Sequence, residues 1–533
     1  MSPTTETTDV VVIGTGPGGA IPGYHLAAGG AKVVFLERGP WLKSQEFTHD
    51  LQLGTYTRLV DYVQCDGVNV IAGNCVGGSS VIYYAAALRA PSFVFERRGL
   101  VGQRQWPRAI TRSSLDRWYD RAEETLPVSQ QSWNDVTYAG GVWASLCHRA
   151  GRTCNPVPVA VDLDRCTNCG WMLNGCRFDA KQSMLLNYLP AALAHHAEVR
   201  PLHEVQTISP ASTPGYRYRV SYSTLNPDDY RQPTGGGSIE AKMVVLAAGA
   251  LGTPVILQRS AQLLGAMPDA VGKYFSPNGD HVTMAVLDES KVRHVLGLSR
   301  DRHTAYEGFA IGKPISSMTF DYLDPHAPEF ERMSLQQIYF PTIVNILPDD
   351  AHAGDPSWFG MSKRELTAKW PSWLNVLAMT EDGNEGTFGT PPPTGSFTRL
   401  ASAASIGQIT YRPSARTSHG WRLADERVRR IVEHERVGRF VEWTASPNAL
   451  TAHPLSSCRI GDDPATSACD AGHELRGHPG LFVTDGASVP TSLCVNPSLT
   501  IAALAERAAG IIARRAASLG VTARTDVPIP ARS

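Results

Sequence analysis

The chain has 533 residues, 42% hydrophobic and 19% charged, with forty-nine basic side chains against fifty acidic ones. Length well above ~150 residues predicts more than one domain, and a near-neutral balance without a basic run argues against a nucleic-acid binder, whose footprint is a cationic excess or stripe. The opening MSPTTETTDVVVIG lacks the basic segment, apolar core and cleavage site of a secretory signal, and no stretch offers the ~18 uncharged apolar residues of a membrane span. The expected location is cytoplasmic, where the ten cysteines are expected as thiols.

In chain order, residues 9–13 (DVVVI) form a β-branched run expected of a strand buried on both faces. The glycine cluster GTGPGG (14–19) follows, then a small-residue helical stretch, then KVVFLE (32–37) as a second strand, a βαβ unit of ~30 residues. Pro22 is expected early in that helix, where the first turn's donors are free and a missing N–H costs little. Within the cluster, Gly14 permits a tight turn, Gly16 lets the backbone approach a pyrophosphate, and Gly19 lets helix and strand pack closely. The helix N-terminus presents N–H donors to phosphate. Glu37, eighteen residues after Gly19, can hold both ribose hydroxyls of an adenosine. A structural turn with a surface Glu is the alternative, and the strand–loop–helix context favours the nucleotide.

A second glycine-rich loop, GNCVGGSSVIYY (73–84), can bring backbone amides against phosphate or a flavin ring. DRCTNCGWMLNGCRFDAKQS (164–183) holds Cys166, Cys169 and Cys176, a density that points to a metal, a cluster or a redox couple. MVVLAAGA (243–250) and LFVTDGA (481–487) read as further strands. The segment 496–515 has helical spacing, with Arg514 and Arg515 where cations suit the helix dipole. One α/β unit is thus expected from the start, middle and end of the chain. The blocks between, rich in Trp, Pro and alternations such as HVTMAVLD, predict a largely antiparallel second unit. GTPPPTGSF (389–397) reads as a surface loop and VTARTDVPIPARS (521–533) as a frayed tail.

GTGPGG with ERG at 37–39, then GNCVGGSS, MVVLAAGALGTPVIL and the C-terminal HPLSSCRIGDD…GLFVTDGASVPTSLCVNPSLTIAALAER together resemble a family. It is the glucose–methanol–choline (GMC) flavoprotein oxidoreductases, in the branch of the non-covalent cholesterol oxidases and long-chain alcohol oxidases. The likeness spans nearly the whole chain; the C-terminal block is the most specific part, and residues 276–445 match loosely. It implies an α/β, Rossmann-like FAD-binding domain that is discontinuous in sequence (1–90, 165–275 and 450–518). Beside it the resemblance implies an α+β substrate-binding domain with a largely antiparallel sheet (91–164 and 276–449), followed by a tail (519–533).

What the resemblance implies for the site is specific. Gly14, Gly16, Gly18, Gly19 and Glu37 bind the ADP half of FAD, and Val205 sits beside the adenine. Gly77, Gly78 and Ser79 line the pyrophosphate and flavin, Ala248 belongs to the cofactor site, and Asp485 and Gly486 approach the ribityl-phosphate region. Pro497 opens a helix whose N-terminus faces the flavin. His453 matches the family's active-site histidine and Asn496 its partner; no metal is implied. Chemistry points the same way. Oxidising an alcohol through a flavin needs hydride transfer and removal of the hydroxyl proton, and histidine is the usual side chain for that proton. The expected reaction is oxidation of a bulky or hydrophobic alcohol to a carbonyl, with oxygen or a quinone as acceptor. A non-redox lyase on the same scaffold, or a quinone-linked dehydrogenase with an iron–sulfur cluster, are the alternatives.

Three departures from the family pattern stand out. Pro371 occupies the place where sterol-oxidising relatives carry a carboxylate, with Glu381 and Glu385 nearby. Ser456 and Ser457 replace the glycines of HPLGGC, and are expected either to pack tightly or to hydrogen-bond near the ring. Met172 replaces one cysteine of a C-x2-C-x2-C-x3-C run. Three thiolates remain where a cluster or zinc takes four ligands, which leaves a three-thiolate cluster, or a fourth ligand from Asp179 or Cys154, as the metal-binding alternatives. The favoured reading is a buried cysteine-lined loop bracing the flavin domain.

Overall fold

The computed structural model describes residues 6–48, 59–99, 102–230, 232–299, 315–338, 372–390, 409–441 and 449–531. Pro371 and most of GTPPPTGSF lie outside these residues.

The apolar N-terminal run forms β1 (Glu6–Ile13), followed by helix α1 (Pro17–Ala28) and β2 (Val33–Leu36). β1 lies between β2 and β3 (Pro233–Leu246), parallel to both, which is why Val10, Val11 and Val12 have no exposed surface. The seven-stranded sheet runs Glu198–Arg200, β2, β1, β3, Tyr218–Leu225, His203–Pro210. β3 is long enough to serve two neighbours on one edge. Tyr218–Leu225 pairs with it antiparallel up to Ala241, and Leu481–Val483 pairs parallel with Val244–Leu246. Strands from the beginning, middle and end of the chain therefore meet in one sheet. Helix α2 (Gly249–Leu264) leaves the end of β3, and helix α3 (Ser498–Ala516) packs against α1.

Pro22 does not lie where the sequence suggests. Pro17 takes the first helical position and Pro22 sits inside α1, so the Gly18 carbonyl one turn back loses its helical donor. The Thr484 hydroxyl, 2.6 Å away, donates to that carbonyl instead. The C-terminal segment is also not frayed. Arg524 N donates to Gly29 O, Tyr24 Oη donates to Pro528 O at 3.0 Å, and Val521 and Val527 are buried.

β4 (Asp280–Leu287) carries the alternating HVTMAVL run into a second, six-stranded sheet that is antiparallel throughout. Its order is Gly438–Val441, β4, Trp373–Thr380, Met333–Ile338, Ile315–Thr319, Asn155–Pro156. Register assigns the two faces. Ala285, Leu335, Leu374, Val376 and Ala378 pack on Ala424, Val428 and Ile431 of the helix Ala415–His434. On the other face, Val282 lies opposite Leu377, Leu377 opposite Gln336, and Gln336 opposite Met318. Val282 and Leu377 of that row, with Asp280 at the start of β4, line the cavity between the two sheets. Among the described residues no helix is long and apolar enough to cross a membrane.

Candidate active site

A single cavity runs from the ends of β1 and β2 to β4. Gly14, Gly16, Gly18, Glu37, Gly78, Ser79, Val205, Ala248, Asp485, Gly486 and Pro497 line it, and His453 and Asn496 border it as well. Gly19 lies behind this wall: a Cβ there would stand 2.1 Å from Gly14 O. Gly14 has φ +97°, and a Cβ would stand 2.2 Å from Ala247 O, so only glycine fits where the chain turns over the end of β3. Gly16 differs: a Cβ there meets nothing nearer than Gly78 Cα at 4.0 Å, because its α-carbon faces the open cavity. The two glycine-rich loops are tied by the Thr15 hydroxyl, which accepts from Gly77 N at 2.9 Å and donates to Glu37 Oε2 at 2.6 Å. Glu37 also accepts from Thr15 N and Gly39 N. Burial, opposed by these bonds, leaves its carboxyl above the usual range.

The N-termini of α1 and α3 border the cavity without a side-chain cap, and neither helix has an acidic residue in its first turn. Their positive dipole ends suit a diphosphate and the polar edge of a flavin. With Glu37 beside the β2 end, the open α-carbon of Gly16 and the length of the cavity, the residues present fit an FAD. The Asp485 carboxylate is engaged elsewhere: it accepts from Gly249 N (2.7 Å), Thr253 Oγ1 (2.6 Å) and Ala487 N (2.9 Å), and so caps α2. Burial pushes its carboxyl up to about 6 in spite of those donors.

At the β4 end, the imidazole of His453 is held from both sides. Its Nδ1 lies 3.0 Å from Asp280 Oδ1 and its Nε2 3.2 Å from Asn496 Nδ2. The Thr451 hydroxyl accepts from His453 N and donates to Asp280 Oδ2, both at 2.8 Å. Asn496 Oδ1 accepts from Gln336 Nε2 at 3.2 Å. His453 and Asn496, named from sequence, thus meet across a hydrogen bond. Asp280, Thr451 and Gln336 were missed: the antiparallel register brings Asp280 and Gln336 here, whereas Thr451 lies two residues before His453 on a strand paired parallel with Val68–Gly73. The rest of this end is apolar, with Val282, Ile315, Ile338, Leu377 and Leu450 on the wall. The arrangement can grip a single hydroxyl and otherwise offers hydrocarbon.

The other singled-out residues have structural duties. Glu381 is fully buried and pairs with Arg332 (Nη2–Oε1 2.7 Å), with Arg97 Nε at 3.5 Å. Glu385 accepts from Thr417 Oγ1 at 2.6 Å. Ser456 and Ser457 adopt φ +65° and +72°, where glycine is favoured, and their hydroxyls donate to Val489 O (2.7 Å) and Ala250 O (3.0 Å). Cys166, Cys169 and Cys176 are half-buried rather than buried, while Cys154 lies in the core behind the antiparallel sheet. Asp179 accepts from Ser44 Oγ. Among the described residues, no group of three His, Cys, Asp or Glu is placed to hold a metal ion. What fastens the cysteine loop is Lys181, whose buried Nζ donates to the carbonyls of Val81, Tyr83 and Met172. The loop is thereby tied to the second glycine-rich loop.

Comparison with known proteins shows the family and the fold. The N-terminal and C-terminal GMC oxidoreductase family models match residues 28–278 and 405–505. A cholesterol oxidase of Mycobacterium tuberculosis is 27% identical over 94% of this chain and 90% of that protein. A 2-methyl-1,2-propanediol dehydrogenase of Mycolicibacterium austroafricanum is 27% identical over 97% of each. Among solved structures, an FAD-dependent oxidoreductase from Chaetomium thermophilum shares the fold with a TM-score of 0.59 at 15% identity, over 95% of this chain and 99% of that one. The chain belongs to the GMC oxidoreductase family and is an FAD-dependent alcohol oxidoreductase.

Proposed function

We propose that the protein oxidises the CH–OH group of a bulky, largely apolar alcohol to a carbonyl, with His453 taking the hydroxyl proton and Asn496 holding the oxygen. The observation that carries this reading is the His453–Asn496 pair, joined at 3.2 Å on the wall of the same cavity that Gly14, Gly16 and Glu37 line. Bound FAD supplies a two-electron hydride acceptor. The chain's own residues do the rest. Asn496 has an amide N–H to give the alcohol oxygen, and His453 Nε2 accepts the O–H. Val282, Ile315, Ile338 and Leu377 bury the hydrocarbon and keep water from the reacting carbon. In this reading residues 1–90, 165–275 and 450–518 hold the cofactor, 91–164 and 276–449 shape the alcohol site, and oxygen or a quinone reoxidises the flavin. Coupled double-bond isomerisation is not part of the proposal, since Glu381 is committed to Arg332 and Arg97.

An anaerobic screen of alcohols tests it, read by bleaching of the bound flavin. Hydrophobic primary and secondary alcohols are expected to bleach it, and sugars are not. A protein that carries FAD yet is bleached by no alcohol would overturn the proposal.

A further inference from the structure

We propose that Asp280 is the positioning residue that sets the proton polarity of the active site. It holds the ring proton of His453 on Nδ1, so that Nε2 faces the cavity as an acceptor. The inference rests on the proposed alcohol oxidation for its catalytic meaning, but its structural content stands apart from it.

A carboxylate can only accept. Asp280 is 2% exposed and its two oxygens lie 3.0 and 2.9 Å from His453 Nδ1, so Nδ1 must be the donor. The opposite side of the ring requires the same polarity. The Met318 thioether, 3.6 Å from Gln336 Nε2, can only accept, which orients the Gln336 amide with its nitrogen toward Met318 and toward the Asn496 amide atom 3.2 Å away. Asn496 Oδ1 is then the accepting atom, and its Nδ2 is left to point at His453 Nε2. An N–H facing Nε2 is satisfied only if Nε2 carries a lone pair. Donation therefore runs one way along the chain, from Gln336 to Asn496 to His453 to Asp280. Thr451 couples the ends mechanically, because its one hydroxyl binds both the His453 backbone and Asp280 Oδ2.

The chemistry follows. An entering alcohol takes the place of the Asn496 N–H on Nε2, and its oxygen receives an N–H from that amide. The O–H bond breaks toward Nε2, its electron pair staying on oxygen to form C=O. A bound FAD would supply the two-electron acceptor for the carbinol hydride. The proton makes His453 an imidazolium whose charge lies beside the buried Asp280 carboxylate, where a paired charge is worth far more than in water. Asp280 thus prepares the base and receives the charge that the base acquires.

The test uses the holoenzyme with 15N-labelled histidine, the His453 signals being identified by their loss in His453→Gln. Wild type is expected to show a protonated Nδ1 and an unprotonated Nε2. Asp280→Asn can present an amide N–H to Nδ1 and should shift the proton toward Nε2. Its anaerobic flavin reduction should slow by on the order of a hundredfold or more, while FAD content and the half-saturating alcohol concentration stay within about threefold. A role in packing alone would not move the tautomer. A wild-type ring protonated on Nε2 alone, or an Asp280→Asn enzyme reduced at the wild-type rate, overturns the inference. Should Asp280→Asn fail to retain FAD, the wild-type spectrum alone decides. Failure of every alcohol to bleach the wild type would instead sink the function and leave the tautomer as the spectrum reports it.

Discussion

Ser457 shows what a small departure from a family pattern can repair. Pro254 lies inside α2 and has no N–H, so Ala250 O, four residues back, lacks its helical donor. The Ser457 hydroxyl supplies one at 3.0 Å, from a residue held at φ +72°. A side chain in that region costs on the order of 1 kcal/mol relative to glycine, and a buried carbonyl left unpaired costs about 1–3 kcal/mol. The hydroxyl therefore offsets the strain. Ser457→Ala keeps the strain and loses the bond, so it should destabilise by about 1–3 kcal/mol. Ser457→Gly should cost about 1 kcal/mol less than Ser457→Ala. In a Pro254→Ala background the helix regains its own donor, and the penalty for Ser457→Ala should shrink. Denaturant unfolding of the four variants measures this, and equal penalties in both backgrounds would refute the coupling. Gly16 offers a complementary case. A Cβ there has room in the protein itself, its nearest neighbour being 4.0 Å away, but it projects into the nucleotide cradle. Gly16→Ala should leave the melting temperature of the cofactor-free protein unchanged and weaken FAD binding by at least about tenfold, the cost of losing one close contact. A thermal melt of the cofactor-free protein reads the first and calorimetric titration with FAD the second, and unaltered affinity would remove Gly16 from the cofactor site.

At the scale of elements, Glu506 on α3 joins three segments. Its carboxylate accepts from His25 of α1 (3.1 Å), from Arg121 of the helix Arg112–Thr125 (2.9 Å) and from Tyr188 Oη (2.5 Å). Burial raises a carboxyl's pKa, but here the bonds from His25 and Tyr188 and the charge of Arg121 outweigh it, and Glu506 lies below its ordinary value of 4.5. A carboxylate with a depressed folded pKa contributes stability that is present above about 4.5 and is lost as pH falls through the folded value. Glu506→Gln should therefore cost on the order of 2–3 kcal/mol at pH 7, a figure reduced for the partial exposure of Arg121. The gap between the variant and wild type should close below pH 4.5. Parallel stability–pH curves would show that the network contributes nothing through its charge. The same scale shows what local sequence can and cannot give. The βαβ start was legible because a β-branched run, a glycine turn and a second apolar run follow one another within ~30 residues. The position of Pro22 within α1 was not, because its cost is met by Thr484, a residue distant in the chain.

At the scale of the molecule, the same distinction explains the site. The alternation HVTMAVLD announced an antiparallel strand, and His453 and Asn496 could be read from a block whose spacing is local. Asp280 and Gln336 carried no mark: an aspartate opening a strand and a glutamine inside one acquire meaning only when register and crossover bring them to the histidine. The cysteine run carried the loudest local signal, and its loop is fastened to the cofactor cradle through Lys181. The central claim, that His453 is the group that handles the alcohol's proton, is tested most directly by anaerobic flavin reduction in His453→Ala with the best alcohol from the screen. The account predicts a variant that retains FAD and is reduced at least about a hundredfold more slowly than wild type; reduction at the wild-type rate would contradict it.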